Sequence, residues 1–477
     1  MKKNNEITPR EVDMAKWYSE ICLKAELMDY SKVKGFIIYR PYGYAIWENI
    51  QKYLDQKFKE SGHQNVYMPM LIPESLLQKE KDHVEGFAPE CAIVTQGGGK
   101  ELTERLYVRP TSETLFCDHF KDILHSYRDL PLKYNQWCSV VRWEKTTRPF
   151  LRGSEFLWQE GHTLHRTSEE AKQETLNMLS IYNQMGKDIL AIPFTTGRKT
   201  DKEKFAGAEE TYTIEALMPD GQALQSGTSH YFGNGFAGSY DIHFLDSDNT
   251  LKVPYQTSWG VSTRLIGSVI MEHGDDNGLV LPPYIAPIQV VIIPIRANLE
   301  PKVNEIANKL LGELKAKGVR AIIDDSDNSP GWKYAQYEMK GVPIRIDIGP
   351  KDVQNNQVMY VRRFDEYKGF FTLDDNLANN IVDQFDLINK GMYAKAEKYL
   401  EEHTLTVNTY DELKDVLTNN KGYAKMMWCG SRECEDKIKD DFGASSRCMP
   451  FDQTSFNDTC PCCGKKATKV VLFARAY

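Results

Sequence analysis

The sequence predicts an α+β protein in three parts, residues 1–283, 284–385 and 386–477. Three observations carry this. A proline-rich joint, Leu281-Pro282-Pro283-Tyr284-Ile285-Ala286-Pro287, separates a glycine-rich stretch from a new apolar run. Strand-like and helix-like segments alternate after the joint. Six of the ten cysteines then crowd the last fifty residues.

The first part mixes β-ribbons with helices. In 45–60, Ile46, Ile50, Tyr53, Leu54 and Phe58 recur at helical spacing, which predicts an amphipathic helix. Gly62 ends it, and 66–73 reads as a strand. Pro69 within that run marks an edge, a bulge or an interface, or a strand that ends early. Residues 136–144 alternate as a strand, which puts Arg142 and Glu144 on one face. A loop, 145–153, carries Lys145, Arg148 and Arg152. The next strand, 156–162, gathers Phe156, Trp158, Glu160 and His162 on one face. A helix is expected over 168–189 and a strand pair around 211–214. Arg264 falls near a helix start, with Leu265, Ile266, Val269 and Ile270 behind it. An arginine there opposes the helix dipole, so an anion or a carboxylate is expected beside it.

Each residue has an ordinary reading. Arg142 with Glu144 would make a surface ion pair of little worth. Trp158 alone would be core, and His162 alone a satisfied buried histidine. Arginines, two carboxylates, a histidine and two aromatic rings together on two paired strands form a surface suited to phosphate and carboxylate oxygens.

After the joint, 289–295 reads as a buried strand and 300–317 as a helix with Val303, Ile306, Leu310 and Leu314 on one face. Strands follow at 319–324 and 343–349. A turn at Asn328-Ser329-Pro330-Gly331 opens a helix to Lys340 between them. A long helix over 377–402 leads into the tail. There Cys429 and Cys434 stand at C-x₄-C spacing, and Cys460-Pro461-Cys462-Cys463-Gly464 forms a C-P-x-C-G knuckle. Four thiolates, Cys429, Cys434, Cys460 and Cys463, suit a structural Zn²⁺ in tetrahedral geometry. Cys462 is then a spectator.

The net charge of −8 argues against a protein that coats nucleic acid non-specifically, while leaving room for local basic patches. No run of eighteen apolar residues predicts a membrane span, and the polar N-terminal segment lacks a secretory core. A cytoplasmic protein without membrane association is expected. No G-x-x-x-x-G-K-[ST] phosphate loop is present.

Further runs complete a pattern. The segment 62–71 resembles motif 1 of class II aminoacyl-tRNA synthetases. Arg142-Trp143-Glu144 through Arg152 resembles motif 2, and 260–267 motif 3. Arg109-Pro110-Thr111-Ser112-Glu113, Trp158-Gln159-Glu160-Gly161-His162, the segment 225–230 and Gly278-Leu279-Val280-Leu281-Pro282-Pro283 resemble the prolyl-tRNA synthetase family, of the archaeal/eukaryotic type. The resemblance spans nearly the whole chain. It implies a catalytic sheet of six or seven antiparallel strands, an anticodon-binding α/β domain and a C-terminal zinc module.

By that resemblance the substrates are L-proline, ATP with Mg²⁺, and tRNA(Pro). Arg142 and Arg264 carry catalysis. Thr111, Glu113, Arg142, Trp158, Glu160, His162 and His230 hold proline. Arg142, Glu144, Arg152, Gln225, Thr228, Ser262 and Arg264 hold ATP. Tyr334, Glu338, Arg345 and Lys351 meet the anticodon, where Tyr334 with Glu338 would otherwise simply cover a helical surface. Motif 1 implies a homodimer. The ending Phe473-Ala474-Arg475-Ala476-Tyr477 matches a family ending that reaches the active site. Some prolyl enzymes carry an inserted editing domain between motifs 2 and 3; fewer than a hundred residues separate His165 from Gly260 here, which leaves no room for one. Two competing readings remain: a class II synthetase for another amino acid, and a non-catalytic tRNA-binding or regulatory relative.

Overall fold

The computed structural model describes residues 7–79, 91–419 and 421–477. Residues 1–6 and 80–90 of the expected first part lie outside the described residues.

Seven strands build the first part of the main sheet: β1 (Gln64–Asn65), β2 (Leu132–Val141), β3 (Glu155–His165), β4 (Thr195–Arg198), β5 (Glu210–Leu217), β6 (Ala223–Tyr231) and β7 (Tyr255–Ser262). Their order is β4-β5-β6-β7-β3-β2-β1. All pairs are antiparallel except β1 with β2, which is parallel.

The apolar face of the sheet is covered by two helices. One, Pro41–Glu60, starts one turn earlier than its apolar spacing predicts because Pro41 suits a first helical position. It buries Ile46, Trp47, Ile50, Leu54 and Phe58. The other, Ser168–Met185, opens on a capping box of Thr167 and Glu170. Phe58 packs 5.0 Å from the Trp259 ring of β7. Gly161 on neighbouring β3 makes room for that indole, since a Cβ there would stand 2.1 Å from it.

Two expected strands are shorter. The run 66–73 divides between sheets: β1 ends at Asn65, and Leu71–Pro73 pairs instead with Lys100–Val108. Between them Val66 N–H still bonds the Asn135 carbonyl, and Met68 N–H bonds the Gln136 side chain. The strand expected over 136–144 stops at Val141, because the Arg142 N–H turns to the Ser154 carbonyl and the Glu144 N–H to the Arg142 carbonyl.

The second unit is a five-stranded sheet: β8 (Val290–Pro294), β9 (Ala321–Ile323), β10 (Ile344–Ile348), β11 (Gln357–Arg362) and β12 (Lys368–Thr372). Its order is β9-β8-β10-β11-β12, parallel as far as β10 and antiparallel beyond. The hairpin of β11 and β12 adds to the three strands visible in the sequence. The proline-rich joint is a clamp. Leu279 N–H bonds the Met339 carbonyl at 3.0 Å, and Arg363 holds both oxygens of Asp275 at 2.6 and 2.7 Å.

The helix Leu377–Glu402 runs across position 385/386. Its buried apolar residues from Leu377 to Met392 share the core of the five-stranded sheet. The tail adds β13 (Thr404–Thr406), β14 (Tyr423–Trp428), β15 (Ser445–Pro450) and β16 (Lys469–Ala474). These strands extend the main sheet: β13-β14-β16-β15 joins β4 through Met449 opposite Arg198 and Pro450 opposite Gly197. Among the described residues the result is one eleven-stranded sheet, in which the catalytic part supplies seven strands, within the six or seven expected, and the tail four.

Candidate active site

A cavity of about 210 Å³ opens on the face of the sheet away from the helix Ser168–Met185. Phe156, Trp158, Glu160 and His162 of β3 all line it, as the two-residue alternation predicts. Thr111, Glu113, Arg142, Gln225, Thr228, His230, Ser262 and Arg264 join them.

At one end, the Thr111 hydroxyl donates to Glu113, whose other oxygen accepts from Ser258 at 3.3 Å. Glu160 lies beneath. It accepts from the Ser112 N–H at 3.1 Å, Gln136 Nε2 at 2.6 Å and His162 Nε2 at 3.0 Å. Burial raises its pKa, but the bonds from His162, Ser112 and Gln136 win and hold it ionised, below the ordinary value. His162 stacks on Phe116 at 4.1 Å, and its Nδ1 is buried without a hydrogen-bond partner. Burial, with a smaller push from His162, lowers His230 to about 3, so that imidazole is neutral at physiological pH. Its nitrogens meet Thr211 and Thr228, each at 3.0 Å.

At the other end stands Arg264, and Arg142 lies between the two. Arg142 donates Nε to the Pro110 carbonyl and lies over Phe156 and Trp158, 5.4 and 5.6 Å from their ring centroids. Arg264 donates to the carbonyls of Leu151 and Gln225, both at 3.0 Å. Among the described residues no carboxylate lies within ion-pair distance of Arg264. Burial, then the charges of Arg142 and Arg152, lower its pKa to about 10. Arg264 opens the helix Arg264–His273, so three unfavourable influences meet in one cation. The arrangement suits an anion.

A β-bulge sets the wall between the two ends. Ile214 pairs with Gly227, but Glu215 pairs with Gln225, which leaves Ser226 as the extra residue on β6. Strict alternation would send Gln225 to the far face from Thr228 and His230. The bulge returns it to the cavity.

Glu144 and Arg152 do not line the cavity; they pair with each other at 2.9 Å on its rim. Because β2 stops at Val141, Arg142 and Glu144 do not share a strand face. Sequence reasoning missed Phe205, 4.6 Å from the His230 ring, and Glu203, both on a loop that carries no period. It also missed Ser258, which sits on the face of β7 that bears Gly260 and Ser262; alternation along β7 carried that signal.

In the second unit, Tyr334, Glu338 and Arg345 come together. The Arg345 guanidinium lies 3.7 Å from the Tyr334 ring centroid and bonds Asp347 at 3.1 Å, with Glu338 at 3.8 Å. Lys351 is exposed on the short helix Pro350–Gln354. In the tail, sulfur atoms of Cys429, Cys434, Cys460 and Cys463 all lie within 4.8 Å of one another. Cys429 stands 3.6 Å from Cys434 and 3.7 Å from Cys463. A tetrahedral Zn²⁺ at ordinary Zn–S distances spaces its sulfurs about 3.8 Å apart, so the four thiols fit the ion. Cys462 turns away to the Cys434 carbonyl.

This sheet and its arginine-lined cavity are those of a class II aminoacyl-tRNA synthetase. Residues 94–273 match the class II core domain family (G, H, P, S and T), 289–378 an anticodon binding domain, and 410–477 the prolyl-tRNA synthetase C-terminal family. Similar relatives include the proline–tRNA ligases of Clostridium novyi (58% identical over 99% of this chain and 98% of that one) and Ruminiclostridium cellulolyticum (58%, with the same coverage). A solved prolyl-tRNA synthetase from Cryptosporidium parvum, in complex with halofuginone and AMPPNP, superposes with a TM-score of 0.94 at 40% identity, covering 98% of this chain and 99% of that one. The chain belongs to the prolyl-tRNA synthetase family.

Proposed function

We propose the following course for this proline–tRNA ligase, which joins L-proline to the 3′ end of tRNA(Pro) through a prolyl-adenylate. Proline enters the end of the cavity built by Thr111, Glu113 and His230. Its ring lies against Trp158 and Phe156. A prolinium nitrogen has two N–H donors, and Glu113 and the Thr111 oxygen are its acceptors. Glu160 and His162 fix that floor from below through Ser112 and Gln136.

ATP takes the opposite end. Arg264 receives its phosphates, beside Gln225, Thr228 and Ser262, with Glu144 and Arg152 at the rim; Mg²⁺ accompanies the nucleotide as part of the substrate. Arg142, between the two ends, meets both the proline carboxylate and the α-phosphate. The carboxylate oxygen attacks the α-phosphorus, the bond to the bridging oxygen breaks, and pyrophosphate leaves with its electron pair. Both reactants are anions, so screening and alignment do most of the work and no general base is required. The adenylate then passes proline to the terminal ribose of tRNA.

The observation that carries this reading is Arg264, half-buried and, among the described residues, without a carboxylate partner, facing a cavity whose other end is acidic. Proline-dependent ATP–pyrophosphate exchange, run against the twenty amino acids, is its test. Exchange with another amino acid, or none, would reject it and favour one of the competing readings.

The same reading places the anticodon at Tyr334, Glu338, Arg345 and Lys351. Arg345 covers one face of Tyr334, so a base would stack on the other. It assigns a structural Zn²⁺ to the four clustered thiols. Exposed Tyr67, Met70 and Leu71 in the motif 1 segment support a homodimer through that edge. Among the described residues no helix is long and apolar enough to cross a membrane, and a cytoplasmic location follows from the family's role.

A further inference from the structure

We propose that the tail supplies a positioning residue to the ATP end of the site: Arg447, acting with Lys199 through the buried carboxylate of Glu215. This rests on the ATP reading above. Glu215 is fully buried on β5, on the same face as Thr211, a cavity residue. Lys199 Nζ meets one of its oxygens at 2.6 Å. Arg447, on β15 of the tail, meets the other through Nε at 3.1 Å and Nη2 at 2.9 Å. Thr213 donates a fourth contact at 3.0 Å.

Two buried cations on one carboxylate leave a net positive charge. Its place is specific. Glu215 is the cross-strand partner of Gln225 at the bulge, and the Gln225 carbonyl holds Arg264. The charges of Glu215 and Arg447 both reach Arg264. A bare Glu215 would draw the Arg264 guanidinium back from the cavity and lower the potential that a phosphate meets. Arg447 and Lys199 together occupy that carboxylate, which leaves Arg264 aimed at the nucleotide. Thr111, Glu113 and His230, at the proline end, are not among the hydrogen-bond partners of Glu215, Lys199 or Arg447.

The test is a kinetic split in pyrophosphate exchange by the full-length, zinc-loaded enzyme. Arg447→Met keeps an unbranched apolar stem and removes the guanidinium with its charge. Its KM for ATP should rise about tenfold, with the KM for proline within twofold of wild type. Arg447→Lys should recover most of that loss. A folded Arg447→Met enzyme with an unchanged KM for ATP, or with both KM values raised equally, would overturn the proposal. If Arg447→Met does not fold, Lys199→Met decides the matter, because it leaves the tail intact. An ATP-selective rise supports the proposal and wild-type constants overturn it. Absence of proline-dependent exchange in the wild type would instead overturn the functional reading on which it rests.

Discussion

Arg142 reaches its place by leaving a strand. Its N–H bonds Ser154 across the hairpin mouth, and the side chain folds over two aromatic rings with Nε on the Pro110 carbonyl. Residue type and position were legible in the sequence; the turn that aims it was not, because alternation continues formally through Glu144 whether or not the ladder does. Arg142→Ala should therefore remove activation and spare the fold, since no packing layer depends on the guanidinium. A fall of roughly 10²–10³ in exchange is expected for losing one preorganised donor set. Circular dichroism should match wild type; near-normal exchange in such a folded variant would remove Arg142 from the chemistry. Gln225 teaches the reverse lesson. It belongs in the cavity only because Ser226 bulges, and a bulge has no local signature in that run.

At the scale of elements, the stretch 156–162 of β3 was legible because two-residue alternation survives there in the sequence, while its ends at Glu155 and His165 were not. The helix Leu377–Glu402 was legible for the same reason at a period of 3.6. The join of β4 to β15 was not, because it pairs residues about 250 positions apart and only Gly197 hints at it, where a Cβ would stand 2.3 Å from the Met449 carbonyl. The helix Ser168–Met185 is also fixed to the sheet by charge. Glu174, almost fully buried, meets His63 at 2.6 Å and Lys133 at 2.8 Å. Burial raises its pKa, but the bonds from His63 and Lys133 outweigh this and hold it at about 2. A carboxylate depressed in the folded state stabilises it above the unfolded value. That stability is lost as pH falls from about 4.5 towards 2, and amounts to about 3 kcal/mol at neutral pH. Denaturant titrations of wild type should steepen in their decline over that window. Glu174→Gln should be less stable at pH 7 and flatter below pH 4.5; parallel curves for the two proteins would contradict the assignment.

The whole molecule shows what the units do to one another. The cysteine-bearing tail is part of the same sheet as the active site, so a metal held by its four thiols should matter beyond the tail. One zinc per chain is expected by metal analysis, and Cys460→Ser should lower it; equal zinc in both proteins would exclude Cys460 as a ligand. The ion's role should be structural, since four protein thiolates leave no open position. The span between motifs 2 and 3 is used up by the helix Ser168–Met185 and the turn Gly186–Leu190, by β4, β5 and β6 of the main sheet, by the short helix Gly235–Ser239 and by the small strand pair Phe244–Leu245 and Leu251–Lys252. Alanine is smaller than proline, and each missing methylene supplies only about 1–3 kcal/mol of discrimination. Alanyl-tRNA(Pro) should therefore form and persist. Supplied alanyl-tRNA should deacylate at its spontaneous rate, and rapid enzyme-dependent hydrolysis would reveal a second site. The shared ladder also has a history in time. During synthesis β4 emerges about 250 residues ahead of β15, the strand that will cover it. At ordinary elongation rates its outer backbone groups face water for roughly 10–50 s. An open strand edge over that interval invites pairing with other nascent chains, and the answer built into β4 is brevity: four residues, closed by the charge of Arg198.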